Sequence, residues 1–397
     1  MVLAAPSGTS APKPEQWGRG RRRWPWAVVV IVLLLGAFGY VLWWISDQIG
    51  DEIAVPQQDV GYPMSVAAVE GDQVTYRGDA SEWADEGLYA LRTADGSYVQ
   101  TAADALMNPD GTATRTVVAK VNPPALKAGA KAVLDPWYFG NDPRNALDLR
   151  FEEINYATPL GPAAAWEIPG KSATWVVYTH GRGDSPAQGL RLAATVSKLG
   201  YPMMLVRYRN DPQAPPGTGY AHYGTDEWMD LEGAVGYALE NGADRIVLAG
   251  SGMGGAISLA FLENSQYADA VVGAVLDAPA VDLGATVDQQ ASELHVPSFV
   301  SSLAKTVASW RFGLDWEAMD YVSRAERIDV PILITQGSAD TATLPESIEA
   351  FAAAAPPGRV TVEEFDGAAH DLAWNLDRDR FDTVVSAFLS DVAPARS

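Results

Sequence analysis

The hydrophobic pattern begins with one long apolar run near the N-terminus. Residues 27–45, AVVVIVLLLGAFGYVLWWI, are 19 positions without a charge, the length of a helix that crosses a hydrocarbon core of about 30 Å. Tryptophans lie at both ends of the run, as interfacial aromatic residues do. Most charged residues before it are basic, so the positive-inside rule places the N-terminus in the cytoplasm. The pattern predicts a single-pass transmembrane helix over 27–45, with the C-terminal body on the extracytoplasmic side of the cell membrane.

A cleaved signal peptide is the alternative interpretation of this run. A signal peptide usually has a shorter apolar region that is followed by a small-x-small cleavage site, and residues 46–50 do not provide one. We therefore expect an uncleaved anchor. Residues 1–20 are rich in Ala, Pro, Gly and Ser, a composition typical of disorder. We predict a disordered cytoplasmic tail over 1–26.

Short strand patterns come next and predict a small β-rich accessory region over 46–165. Turn residues separate these patterns, and we find no catalytic constellation among them. The last segment, residues 160–170, is interpreted as an edge strand that leads into the next domain. The clearest strand patterns are Gln73–Tyr76, Thr114–Ala119 and Lys131–Leu134.

From residue 166 onward, buried apolar runs alternate with amphipathic helical segments. This alternation predicts an α/β fold over 166–397, with a mostly parallel sheet and helices on both of its faces. Residues 280–325 interrupt the alternation with helical patterns and are predicted to form a lid over the carboxyl edge of the sheet. The predicted strands are 174–179, 202–208, 246–249, 270–276, 330–336 and 359–365.

A glycine-rich turn follows the third of these strands and permits two interpretations. A nucleophile elbow has the pattern G-x-S-x-G, but Gly252 stands where that pattern needs serine. A dinucleotide fingerprint has the pattern G-x-G-x-x-G, which Gly250, Gly252 and Gly255 satisfy. Asp277, at the end of the following strand, lies near where a ribose-binding acid would be. However, the fingerprint normally belongs to the first strand–helix unit, and here two such units precede it.

The amino-acid composition excludes several kinds of site and partner. The chain has no cysteine, which excludes disulfides, thiol catalysis and cysteine-ligated zinc. No spacing typical of metal ligands is present, and we expect neither a metal nor a cofactor. The net charge of −22 gives an acidic surface that repels nucleic acid and anionic lipid headgroups. We expect no nucleic-acid partner.

Two candidate catalytic residues lie after late strands of the predicted sheet. Ligands and catalytic residues of such sheets lie at the carboxyl ends of the strands. Asp340 follows the predicted strand 330–336, and His370 follows 359–365. A serine-type mechanism on an α/β-hydrolase scaffold needs a nucleophile, then an acid, then a histidine along the chain. Asp340 and His370 occupy the acid and histidine positions.

These motifs together give the chain a family resemblance. From about residue 172 to the C-terminus it resembles the α/β-hydrolase superfamily, near its membrane-anchored bacterial esterase, lipase and serine aminopeptidase-like members. The motifs are His180-Gly181, Glu227-Trp228, the Gly-x-x-Met-Gly-Gly turn at 250–255, Leu276 to Pro279, Asp340 before Leu344-Pro345, and His370 with Trp374-Asn375.

The resemblance implies a role for each candidate residue. Asp340 would orient His370, His370 would act as the base, and the backbone N–H groups of Arg182 and Met253 would form an oxyanion hole. Relatives carry serine at the position of Gly252, so the nucleophile position is vacated here. Glycine has no side chain to acylate, although it relieves the backbone strain that an elbow forces on other residues.

Two routes to activity stay open. Ser251 would serve as nucleophile only if the elbow were shifted, because adjacent side chains at a tight turn point in different directions. A water molecule activated by His370 would give weak hydrolysis, since an oxyanion hole and binding groups alone retain some catalysis. We therefore predict a membrane-anchored α/β-hydrolase-fold protein, weakly active or non-catalytic, that binds a small acyl, ester or peptide ligand. The alternatives are an active serine hydrolase of esters or peptides and a dinucleotide-binding protein.

Overall fold

The computed structural model describes residues 24–55, 61–78, 86–122 and 125–394. Residues 1–23 are not among the described residues. They include most of the predicted disordered tail and the basic cluster on which the predicted membrane orientation rests. Three bodies follow along the chain. They are an apolar helix, a small β-barrel and a large α/β domain.

Helix α1, Trp24–Ile49, contains the whole apolar run. Its side chains from 26 to 41 are exposed, as in a helix surrounded by lipid. It is long and apolar enough to cross a membrane. A π-helical turn, Gly50–Ala54, continues it toward the α/β domain. There the carbonyl of Ala54 accepts a hydrogen bond from the N–H of Ala221 at 2.7 Å, which ties the end of the helix to the domain.

The β-rich region forms a closed antiparallel barrel with the strand order β1–β2–β5–β4–β3–β6. Alternate side chains point inward, and Val74, Tyr76 and Leu91 are fully buried there. Arg115 is also buried, and it donates to the hydroxyl of Tyr76 at 2.9 Å and to the carbonyl of Gly87 at 2.8 Å. The strands are β1 Met64–Glu70, β2 Gln73–Arg77, β3 Ala90–Thr93, β4 Tyr98–Met107, β5 Ala113–Asn122 and β6 Lys131–Asp135.

The α/β domain is built on an eight-stranded sheet of order β14–β13–β12–β11–β9–β10–β8–β7. The strands from β14 to β10 run parallel, whereas β7 and β8 form an antiparallel hairpin. The predicted strand 174–179 coincides with β9, because an uninterrupted apolar run marks a strand buried on both faces. The strands are β7 Glu152–Thr158, β8 Gly161–Ile168, β9 Thr174–Thr179, β10 Met203–Val206, β11 Arg245–Ser251, β12 Val271–Asp277, β13 Ile332–Gly337 and β14 Val360–Phe365.

The hairpin corrects two predictions about the boundary between the barrel and this domain. The sequence pattern assigns residues up to 165 to the accessory region and places the segment 160–170 at the sheet edge. In the structure both β7 and β8 belong to the large sheet, and β7 is its edge strand, because β8 pairs with β7 on one side and β10 on the other. Strand β7 is mostly solvent-exposed, so its polar pattern gives no sign of the buried sheet beyond it.

Helices cover both faces of the sheet, and each face has its own apolar core. Helices α4, α5 and α8 pack on one face together with the predicted lid, which consists mainly of α6 and α7. Helices α3 and α10 pack on the other face. The helices are α2 Pro143–Leu147, α3 Leu190–Lys198, α4 Trp228–Glu240, α5 Met253–Asn264, α6 Leu283–Glu293, α7 Ser298–Phe312, α8 Pro345–Ala354, α9 Ala373–Leu376 and α10 Arg378–Val392.

The side chain of Asn375, in α9, joins the barrel to the α/β domain. Its amide nitrogen donates to the carbonyl of Leu88 at 2.6 Å and to that of Pro136 at 2.7 Å. Its backbone carbonyl accepts from the N–H of Leu88 at 2.8 Å. Arg191 donates to its side-chain oxygen at 2.9 Å. Asn375 therefore fixes the barrel beside the loop that carries His370.

Candidate active site

The glycine-rich turn adopts the geometry of an elbow between β11 and α5. Gly252 has φ +52° and ψ −113°, a conformation that glycine adopts without the steric cost borne by other residues. A Cβ on Gly254 would lie 2.1 Å from the carbonyl oxygen of Thr179, and one on Gly255 would lie 2.5 Å from Cβ of Pro279. These two glycines are required because α5 packs directly against neighbouring strand ends.

Position 252 faces His370 across a cavity. A Cβ built on Gly252 would lie 3.4 Å from Nε2 of His370 and 3.8 Å from its Cε1. A hydroxyl on that Cβ could reach hydrogen-bonding distance of Nε2, the arrangement that a serine nucleophile needs with its base. The backbone N–H of Gly252 donates to the carbonyl of Asp277 at 2.9 Å, which fixes the turn relative to β12.

His370 is oriented by Asp340, which lies in the loop after β13. Nδ1 of His370 lies 2.9 Å from Oδ2 of Asp340. The other carboxylate oxygen accepts from the backbone N–H groups of Ala342 and Thr343 at 2.8 and 2.9 Å, and the hydroxyl of Thr343 donates to Oδ2 at 2.6 Å. Burial alone would raise the pKa of Asp340, but the hydrogen bond and charge of His370 and the Thr343 contacts outweigh it and lower the pKa. Asp340 is therefore held ionised.

The same pair shifts the pKa of His370 in the opposite direction. Burial lowers the pKa of the imidazole, but the hydrogen bond and negative charge of Asp340 outweigh burial and raise it to about 8. The charges of Asp371 and Asp277 act in the same direction. Nδ1 is occupied by Asp340, so Nε2 is the nitrogen that is directed at position 252. An imidazole with this arrangement can accept a proton from a hydroxyl or from water.

The predicted oxyanion-hole residues line the same cavity as His370. This cavity has a volume of about 360 Å³, and Arg182, Gly252, Met253 and His370 all contribute to its wall. Met253 is the first residue of α5, and the N–H groups of a first helical turn have no partner within the helix. Within the described residues, no acceptor is recorded for the backbone N–H of Met253 or of Arg182. Both groups are available to an anionic oxygen.

Asp184 is a cavity residue that the sequence motifs did not indicate. It lies two residues after Arg182 and lines the cavity. Burial, with the charge of Asp371, raises the pKa of its carboxyl group to about 7, although the charges of His180, Arg191 and His370 oppose the shift. The cavity thus contains a second group that titrates near neutrality. Its proximity to Asp371 comes from tertiary packing, which sequence spacing does not encode.

Ser251 faces a different part of the molecule from Gly252. Its hydroxyl lies 2.9 Å from the hydroxyl of Tyr178, which in turn donates to Oε1 of Gln188 at 3.0 Å. Ser251 is 3% exposed and borders a separate void of about 20 Å³. Successive side chains at the end of a strand point to opposite sides. The elbow is unshifted, so the hydroxyl at 251 bonds with Tyr178 while the position beside His370 belongs to Gly252.

A buried charged network lies behind the elbow, and sequence reasoning missed it. The guanidinium of Arg191, in α3, donates to the backbone carbonyl of Asp371 at 2.6 Å and contacts its carboxylate at 3.1 Å. Gln188 also donates to that carboxylate. Asp277 lies 3.9 Å from the guanidinium and accepts from Thr335 at 2.7 Å. Burial and the charge of Asp371 raise the pKa of Asp277. The network holds the backbone immediately after His370.

His180, of the His180-Gly181 motif, has a structural environment. Its Nε2 lies 2.8 Å from the carboxylate of Asp211 and its Nδ1 lies 2.9 Å from the carbonyl of Gly181. The ring stacks on Tyr208 with centroids 4.5 Å apart. His180 is fully buried, so these contacts shape the loop that presents Arg182.

The surroundings of the glycine turn do not suit a dinucleotide. The void that borders Gly250 and Asp277 has a volume of about 20 Å³, which is room for one water molecule. The Asp277 carboxylate is engaged by Thr335 and faces Arg191, and α5 packs its glycines against protein atoms. Within the described ranges, no group of three or more His, Asp or Glu side chains has the geometry of a metal site.

The chain is similar to known hydrolases over part of its sequence and in its fold. Residues 170–315 match the family model described as serine aminopeptidase, S33. An esterase from Pyrococcus furiosus superposes with a TM-score of 0.50 at 19% identity, covering 68% of this chain and 100% of the esterase. An esterase/lipase from an uncultured bacterium gives a TM-score of 0.48 at 19% identity, covering 63% of this chain and 87% of that one. No curated protein sequence matches the chain.

The structural likeness defines the fold of the chain. The sheet order and the elbow between β11 and α5 are those of an α/β-hydrolase fold. Within this fold, residues 170–315 are similar to the family described as serine aminopeptidase, S33.

Proposed function

We propose that this protein is a membrane-anchored α/β-hydrolase-fold protein whose nucleophile position is vacant. In this proposal it binds a small acyl, ester or peptide ligand in the cavity beside His370. It does so without forming an acyl-enzyme, with at most weak hydrolysis. Helix α1 anchors it in the cell membrane, with the N-terminus cytoplasmic and the barrel and α/β domain on the opposite side.

One observation carries the proposal. The Cβ direction of residue 252 points at Nε2 of His370 with 3.4 Å between the atoms, so the residue that the base would activate is Gly252. Asp340 is bonded to His370 and held ionised, and among the described residues the backbone N–H groups of Arg182 and Met253 have no acceptor. In this proposal the cavity keeps the binding elements of a serine hydrolase and lacks the atom that attacks.

A second candidate is hydrolysis by a water molecule that His370 activates. Within the described residues, no partner is recorded for Nε2 of His370, and the missing serine side chain leaves space between that nitrogen and Gly252. A water there would be deprotonated by the imidazole above its pKa of about 8. The route through Ser251 is less favoured because its hydroxyl bonds with Tyr178.

The test is covalent labelling by a serine-reactive fluorophosphonate, followed by mass spectrometry of the labelled peptide. We expect no labelling of the wild type or of Ser251→Ala, and labelling of Gly252→Ser at residue 252. Labelling of the wild type that disappears in Ser251→Ala would overturn the assignment of the vacant position. Turnover of an ester by wild type without labelling, abolished in His370→Gln, would instead establish the water mechanism.

A further inference from the structure

The outward face of the lid helix α7 is apolar and exposed. Phe299, Leu303 and Trp310 are 60%, 42% and 78% exposed, and Leu294, just before the helix, is 77% exposed. Their helical spacing places Phe299, Leu303 and Trp310 on one side of α7. We call these four residues the lid face. Large apolar side chains clustered on an exposed surface mark a site of contact with a partner or a membrane.

The charge of this segment differs from that of the rest of the chain. Residues 294–314 contain no Asp or Glu, although the chain has 50 acidic residues in total. The only full charges in the segment are Lys305 and Arg311. Lys305 is paired with Asp288 at 2.6 Å and Arg311 with Asp47 at 2.5 Å. The lid face itself therefore contributes no negative charge that would repel lipid headgroups.

The lid face is continuous with the apolar helix α1. The rings of Trp43 and Trp310 meet edge to face with centroids 6.4 Å apart. The guanidinium of Arg311 lies 3.9 Å from the centroid of the Trp43 ring, and Arg311 also donates to the hydroxyl of Ser46 at 2.6 Å. Phe312 packs so closely on Gly50 that a Cβ there would lie 2.2 Å from its ring. Helix α7 is thus held against the last turns of α1.

The cavity lies beside the same junction. Glu52 and Ile53, in the turn that follows α1, line it together with Leu283, Thr286 and Gln290 of α6. Glu52 lies seven positions after Ile45, the end of the apolar run. At 1.5 Å per residue this is at most about 10 Å, so the cavity wall begins at the outer edge of the lipid headgroup layer.

From this geometry we infer that α7 rests in the interfacial layer of the membrane that α1 crosses, and that the cavity receives amphiphilic acyl ligands from that lipid layer. The inference rests on the proposed function for the membrane anchor and for the cavity as the binding site. Trp310 and Trp43 are the side chains expected at the headgroup level, because tryptophan favours that layer. Phe299 and Leu303 are expected to extend toward the acyl chains.

The test uses the natural absence of cysteine. Single cysteines at Leu303, Leu34 and Leu106 are spin-labelled in the full chain, reconstituted in phosphatidylcholine nanodiscs. Leu34 lies in α1 and reports insertion of the anchor, whereas Leu106 is an exposed leucine of the barrel, 66% exposed, and serves as the matched control. We expect collision with a water-soluble nickel chelate to be at least about fivefold lower at position 303 than at 106, because an interfacial helix buries its apolar face.

Equal nickel accessibility at 303 and 106, with position 34 protected, would overturn the inference while leaving the anchor intact. An exposed label at position 34 would overturn the anchor and the inference together.

The ligand class is tested in the Gly252→Ser background with two fluorophosphonates. Trp310→Glu should slow labelling by a membrane-dissolved long-chain probe about tenfold and leave a water-soluble short-chain probe unaffected. Equal rates for Trp310→Glu and Leu106→Glu with the long-chain probe would contradict entry from the lipid. Labelling of Gly252→Ser by the short-chain probe reports separately on the proposed function.

Discussion

The two faces of the elbow differ in what their side chains can do. On the cavity face, His370 and Asp340 form an acid–base pair 2.9 Å apart, and the residue that they address is Gly252. On the buried face, Ser251 supplies a hydroxyl, but its partner is Tyr178 and the nearby charges are engaged with one another. The position that faces His370 and the hydroxyl that bonds with Tyr178 therefore belong to adjacent residues, Gly252 and Ser251.

The difference shows that a serine hydroxyl can act as a nucleophile only if it lies on the face of the elbow that His370 reaches. A strand end sends successive side chains to opposite sides of the sheet, so a serine one position early is a packing residue. The hydrogen bond of Ser251 with Tyr178 stabilises the strand end. Substitutions at Gly252, Arg191, Asp340 and Ser251 should separate the two faces by their effects on activity and stability.

Gly252→Ser should give the cavity face its missing hydroxyl. We expect the hydrolysis rate of a short p-nitrophenyl ester to rise on the order of 1000-fold, because a serine–histidine pair with an oxyanion hole supplies most of the chemistry of such sites. The φ of +52° should make the substitution cost about 1 kcal/mol of stability. Gly252→Ala is the matched control, since it carries the same backbone strain and no hydroxyl. A similar gain in Gly252→Ala would show that the serine hydroxyl is not the cause.

Arg191→Met should destabilise the protein through the buried face of the elbow. It removes the cation between Asp371 and Asp277 and leaves buried carboxylates unpaired, which should lower the free energy of unfolding by about 3 kcal/mol. Denaturant unfolding measures this. Arg378→Met is the control. Arg191 lies 5.9 Å from the centroid of the Trp137 ring and Arg378 lies 5.3 Å from that of Trp374, but Arg378 is half-exposed. Arg378→Met should change the free energy of unfolding by less than about 0.5 kcal/mol. An equal loss in both variants would show that the loss does not come from the buried charged network.

The pH dependence of Gly252→Ser should report the cavity face alone. His370 must be neutral to act as a base, so the hydrolysis rate should rise as pH increases through its pKa of about 8, by about tenfold between pH 7 and the plateau. Asp340→Asn removes the hydrogen bond and charge that raise this pKa. The inflection should therefore move to lower pH, and the plateau should fall because the imidazole is no longer oriented. An unchanged inflection would mean that another group, such as Asp184, controls the profile.

Ser251→Ala should have the smallest effect. Loss of the hydrogen bond with Tyr178 should cost about 1 kcal/mol of unfolding free energy, and the labelling of Gly252→Ser should be unchanged when Ser251→Ala is combined with it. Tyr178→Phe removes the same bond from the other side, so the double variant should cost less than the sum of the two single variants. Additive costs would indicate that the two hydroxyls act independently.

Local patterns in the sequence determined much of the scaffold. An apolar run without polar interruption marks β9, which the sequence predicts at 174–179 as observed. Proline at the first helical position marks the start of α8, Pro345–Ala354. The order of Asp340 and His370 after late strands indicated a serine-hydrolase arrangement before any contact was known. These features are local because strand and helix periodicity and turn chemistry act within a few residues.

Tertiary structure decided which of these residues meet. Gly252 and His370 are far apart in the chain, and only the packing of β11 against the other strands sets the Cβ direction at 252 toward the imidazole. The contact of Arg191 with Asp371 and the presence of Ile53 in the cavity wall arise in the same way. The sequence by itself determined that glycine stands at the position where the elbow pattern has serine. Only the tertiary structure decided that this position faces His370, because side-chain direction across a packed sheet depends on contacts that no local pattern encodes.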